Sequence, residues 1–117
     1  MSDEAKKIHA VFYAKERGGQ PVREWLKFAI TESQRKAIGK HLQVVEYGWP
    51  MGMPTVRKIE SDLWELRVNL DVGIARVFFT VDGAEMVLLH AFIKKSKKTP
   101  MDDLELARRR LTEVRRK

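Results

Sequence analysis

Two arginines, one glutamate, one histidine and a run of lysines carry most of the chemistry open to this chain. Glu65 and Arg67 lie in "LWELRVNL", Arg76 in "GIARVFFTV", and His90, Phe92 and Lys94 in "EMVLLHAFIKK". These segments have the two-residue period of strands. Arginine grips phosphate with two parallel hydrogen bonds, imidazole moves protons near neutral pH, and aromatic rings stack on unpaired bases. Gathered on one sheet face, such residues suit single-stranded RNA. Lys94, Lys95, Lys97 and Lys98 fall within five residues and would hold its phosphates. Lys58, in "VRKIE", is expected to join the face from the strand before.

Each residue also has a plainer reading. A lone histidine in an apolar strand is more often structural, Arg67 can simply pair with Glu65, and a lysine run can be a solvated turn. Arg76 is less easily dismissed, because an arginine buried without an anion is costly. The histidines at 9, 41 and 90 have no metal-ligand spacing, and with no cysteine there is neither a thiolate zinc site nor a disulfide scaffold. No Gly-rich phosphate loop or serine elbow is present, and no cofactor is expected.

Charge points the same way. The net charge is +7, and residues 90–117 hold ten lysines and arginines against four acids. A basic excess confined to one end favours a polyanionic partner. At 117 residues and 44% hydrophobic the chain is expected to form a single domain, 1–117, with one core. No apolar stretch is long enough to span a membrane and the N-terminus is not a secretory signal, so the expected location is the cytoplasm.

The elements that must position these residues are also readable. Residues 7–14, "KIHAVFYA", read as a strand. Pro21 suits a first helical turn, with Val22, Trp25, Leu26 and Ala29 at helical spacing. A second start falls near Thr31 to Ser33, followed by Ile38, Leu42, Val45 and Trp49, and Gly48 is a stop. These two helices form a hairpin whose apolar stripes need a sheet. Trp25, Trp49 and Trp64 read as core. Strands then follow from Val56 to Lys95. Thr99 caps a last helix with Pro100 at its first position. The stripe Met101, Leu104, Ala107, Leu111 and Val114 faces inward, and Arg108 to Arg110 mostly point away. The expected fold is α+β, an antiparallel sheet in the order β-α-α-β-β-β-β-α with helices on one side.

Register decides whether the polar residues meet. A strict two-residue turn at Asp82-Gly83 puts Arg76 with Leu89 and His90 with Ala75. An odd loop or a bulge puts Arg76 and His90 together, and the apolar pattern of the two strands favours this. Val87, Leu89, Ala91 and Ile93 would then share one face of the last strand.

Together, "DLWELRV", "ARVFFTV" and "MVLLHAFIKKSKKTPMDDLELARRR" resemble the HigB-like, phage-derived branch of the RelE/ParE toxin superfamily, over roughly residues 5–115. The resemblance implies a RelE-like fold and a toxin of a type II toxin–antitoxin pair, with a helix-turn-helix (HigA-like) antitoxin as partner. It implies ribosome-dependent, metal-independent cleavage of messenger RNA. A ParE-like gyrase inhibitor and a non-catalytic phage-derived nucleic-acid-binding protein are the alternatives. Arg76 matches the superfamily's mid-sheet arginine, suited to charge stabilisation. His90 or Glu65 would act as base, and Lys94 or Lys95, near where other members carry tyrosine, histidine or lysine, as acid. The chain departs from that pattern in having no C-terminal tyrosine.

Overall fold

The computed structural model describes residues 5–94 and 100–116. The element order is the expected one: β1 (His9–Phe12), α1 (Pro21–Phe28), α2 (Glu32–Gly48), β2 (Val56–Glu60), β3 (Leu63–Leu70), β4 (Gly73–Asp82), β5 (Glu85–Lys94) and α3 (Met101–Arg115). Local chemistry sets the helix ends. Pro21 opens α1. Thr31 caps α2 through a reciprocal capping box with Gln34, the two bonds measuring 3.1 and 3.0 Å. In α3 the cap is Pro100 itself, one residue later than expected; Thr99 lies outside the described residues.

The five strands form one sheet in the order β1-β5-β4-β3-β2. It is mixed rather than wholly antiparallel, because β1 runs parallel to β5. As an edge strand β1 needs cover, and α2 supplies it. The buried Glu46 carboxylate accepts the Ala10 amide at 2.7 Å and pairs with Lys6 at 3.1 Å.

Helices cover both faces, not one. α1 and α2 pack on the face of Leu66, Val68, Ala75, Val77, Phe79 and Met86, with Trp25, Trp49 and Trp64 half-buried at its margin. On the other face α3 lays Leu104, Ala107 and Leu111 against Leu63, Phe78, Val87 and Leu89. The physical reason is that β4 and β5 are apolar on both faces, and a second apolar face must also be buried.

The β4–β5 hairpin combines a two-residue turn with a bulge, and the turn is Gly83-Ala84, one residue later than the expected Asp82-Gly83. Asp82 pairs with Glu85 across a two-residue turn, with Gly83 at φ 61°, a left-handed value that favours glycine. The register then shifts by one, because Phe79 pairs with Leu88 but Phe78 with His90. Leu89 is the extra residue of a β-bulge. The expected alternation of β5 therefore breaks at Leu89. Met86, Leu88, Ala91 and Ile93 join the α1–α2 core, while Val87, Leu89 and Phe92 join the α3 core. At the far end of the hairpin a Cβ on Gly73 would lie 3.0 Å from the Lys94 carbonyl, so only glycine lets the two backbones close there.

Candidate functional site

Register lays out the α3 side of the sheet as a grid. One row across β2, β3, β4 and β5 reads Arg57, Glu65, Phe78, His90. The next reads Arg67, Arg76, Phe92, and the third Asn69, Ile74, Lys94. Cross-strand partners share a face, so Glu65, Arg67, Arg76, His90, Phe92 and Lys94 do come together. Lys58 does not join them. It pairs with Trp64, whose ring stacks on Phe79 in the opposite core, and Arg57 stands on the α3 side instead. Lys95, Lys97 and Lys98 lie outside the described residues.

This face is less open than a ligand-facing sheet should be, since α3 occupies part of it. Glu65 and Arg76 are wholly buried, at 0% exposure. The anion that Arg76 requires is internal: its Nη1 lies 3.6 Å from Glu65 Oε2, and Arg67 Nε lies 3.7 Å from Glu65 Oε1. These are ion-pair separations, too long for hydrogen bonds. Neither Glu65 oxygen accepts a hydrogen bond among the described residues. A buried carboxylate survives without one because two guanidinium groups flank it. Arg67, with 24% of its side chain exposed, carries one of these charges to the surface.

His90 closes the grid against the first turn of α3. Its Nε2 is 2.6 Å from Asp103 Oδ1. A carboxylate can only accept, so Nε2 carries the proton and, in the neutral ring, Nδ1 keeps its lone pair. Near-parallel rings flank the imidazole, Phe92 at 5.5 Å and Phe78 at 6.5 Å between centroids. The pair is largely but not wholly buried, at 17% exposure for His90 and 27% for Asp103. Arg67 stands on the same face one row on and two strands across, and Lys94 two rows on along β5; an imidazole oriented in this way can exchange a proton with a bound phosphodiester.

Asp103 escaped the sequence reading because an acid in a first helical turn has a sufficient explanation in the helix dipole. The Arg108 to Arg110 run is corrected too. Arg108 forms a two-pronged pair with Glu60, closest at 2.7 Å. Arg110 is buried, with its guanidinium 5.3 Å from the centre of the Tyr13 ring. Burial pulls the Arg110 pKa down. Tyr13 in turn donates to Glu113 Oε1 at 2.9 Å, and Arg115 pairs with Asp62 in the β2–β3 turn. Among the described residues no His, Asp and Glu side chains gather as a metal site, and no helix is long and apolar enough to cross a membrane.

Fold and face together define a small, basic α+β protein whose sheet gathers two arginines, a histidine and a lysine on one side. The family described as phage-derived protein Gp49-like (DUF891) matches residues 24–112, and the chain belongs to it. That family is associated with RelE-like, toxin-like proteins. No curated protein matches the chain.

Proposed function

We propose that this chain is the toxin of a type II toxin–antitoxin pair, close to the HigB-like members of the RelE/ParE superfamily, and that it cuts messenger RNA on the ribosome. The observation that carries this reading is the His90–Asp103 pair, set on the same face as Arg67 and Lys94. In the reaction the ribose 2′-oxygen forms a bond to the adjacent phosphorus and the bond from phosphorus to the 5′-oxygen breaks. His90 Nδ1 takes the 2′ proton, and Asp103 holds the ring and stabilises it once charged. Arg67 faces the extra charge of the phosphorane. Arg76 acts from beneath, through the Glu65 carboxylate that it shares with Arg67. Lys94 or Lys95 protonates the leaving 5′-oxygen. Burial between two arginines removes Glu65 from the choice of base.

Single-turnover cleavage on programmed ribosomes tests this. Wild-type protein cuts the message and His90→Ala, folded and bound, does not. An intact message under saturating wild-type protein overturns the proposal, and inhibited supercoiling by gyrase in the same preparation would replace it with the ParE-like reading. Induction in cells should arrest growth, with relief from a co-expressed helix-turn-helix partner encoded next to it.

A further inference from the structure

The phase of β5 decides which residues share a face with Arg76, and a single bulge sets it. With the register of the Asp82–Glu85 turn continued unbroken, Val77 would face His90 and Arg76 would face Ala91. The imidazole would then enter the α1–α2 core. The extra residue, Leu89, turns His90 and Phe92 back toward Arg76. An extra residue also disturbs the ladder and leaves a backbone group in want of a partner. Here the partner is a side chain from another element: Arg110 Nη1 donates to the Leu89 carbonyl at 2.8 Å in a buried setting.

We infer that Arg110 is a positioning residue for His90, clamping the Leu89 bulge from α3 so that the imidazole meets Asp103 and not the core. The inference rests on the proposed site. Three features support a clamp over generic helix packing. The bond ends on the one residue of the β4–β5 pairing that has no cross-strand partner of its own. Arg110 is the buried member of a run whose Arg109 is exposed, so the chain keeps a guanidinium out of water where an apolar residue would pack. The guanidinium is also braced, with the Tyr13 ring beneath it and Glu113 engaged by the Tyr13 hydroxyl. α3 thus presents Asp103 and the holder of the bulge at once, from positions two turns apart on one rigid rod.

The test reads the His90 ring directly. Long-range nitrogen–proton correlation spectra report which ring nitrogen carries the proton. Wild-type His90 is expected to show the Nε2-protonated form held by Asp103. Arg110→Met removes the donor but keeps a long apolar stem over Tyr13, and it should yield a mixture of the two forms. Arg110→Lys, with one flexible donor, should fall between. Tyr13→Phe disturbs the same cluster without touching the Leu89 carbonyl and should leave the wild-type pattern. On ribosomes, kcat of Arg110→Met should fall by on the order of 10- to 10²-fold, as a misplaced catalytic group does, with KM within about twofold because the loss falls on the transition state and not on substrate binding. A wild-type ring pattern in folded Arg110→Met, or in Arg110→Lys where the methionine variant fails to fold, overturns the inference. So does an equal change in Tyr13→Phe. If wild-type protein cuts no RNA, the proposed activity falls, while the ring comparison still decides the role of Arg110.

Discussion

Arg67 and Arg76 stand directly opposite each other on β3 and β4, with the carboxylate of Glu65 against both. Like charges across a sheet repel, so the glutamate is what makes the pairing tolerable. Losing one partner of a buried pair costs ~3–5 kcal/mol, whereas replacing both with apolar groups can be neutral. Arg76→Ala should therefore lower unfolding free energy by about that amount, and Glu65→Leu with Arg76→Met by much less. Arg67→Ala, at a side chain 24% exposed where that of Arg76 is wholly buried, should cost less than Arg76→Ala. Urea unfolding of these proteins, with the Glu65→Leu and Arg76→Met single variants beside the double, checks the order, and an additive double variant would count against the coupling.

Asp103→Asn keeps the shape of the His90 partner and removes its charge. The amide can offer Nε2 a donor or an acceptor, so the ring loses its fixed proton position. Cleavage should slow on the order of 10²-fold, the share general base catalysis usually supplies, while ribosome binding holds. Equal loss of binding and rate would assign Asp103 to docking.

Ionic strength should act through the C-terminal segment. Single-stranded RNA binding loses affinity with salt at a slope of about −0.7 per neutralised phosphate. Changing Lys94, Lys95, Lys97 and Lys98 to glutamine should flatten that slope by up to ~3 and leave the thermal midpoint nearly unchanged. A slope equal to wild type would show that the phosphates lie elsewhere.

Alkaline pH should weaken the α3 contact. Burial, then the hydrogen bond to Glu113, raises the Tyr13 pKa above its ordinary 10.0. The folded state therefore holds this proton more tightly than the unfolded chain does. The contribution is present in full below pH 10.0 and fades as pH climbs through the higher folded value. Urea midpoints from neutral to strongly alkaline pH should fall less steeply for Tyr13→Phe than for wild type.

The sequence carried the fold well where pattern and burial agree. In β3, Trp64, Leu66, Val68 and Leu70 alternate with polar residues, and each packs on the α1–α2 side. It carried less where both phases of a strand are apolar. "MVLLHAFI" fits a core in either register, so nothing local marks Leu89 as a bulge; the side chain that bonds its carbonyl, Arg110, lies 21 residues away. The second core was also hidden. Phe78 lies on the same side of β4 as Arg76, and with Val87 and Leu89 it seats α3. The polar face was legible as a set of residues, while the burial of Arg76 was not, because its anion had to be located in space.

The strand pairing also dictates an order of assembly. β1 lies at the sheet edge with β5 as its neighbour, and His9 pairs with Glu85. During synthesis the first strand emerges early and waits for nearly the last. α1 and α2 can form locally before then, but the face bearing Arg67, Arg76 and His90 cannot be completed until β5 and α3 have left the exit tunnel. Contacts of such wide sequence separation are slow to form. A nascent chain therefore carries its own delay, and an incomplete copy, lacking β5 and α3, has no His90–Asp103 pair.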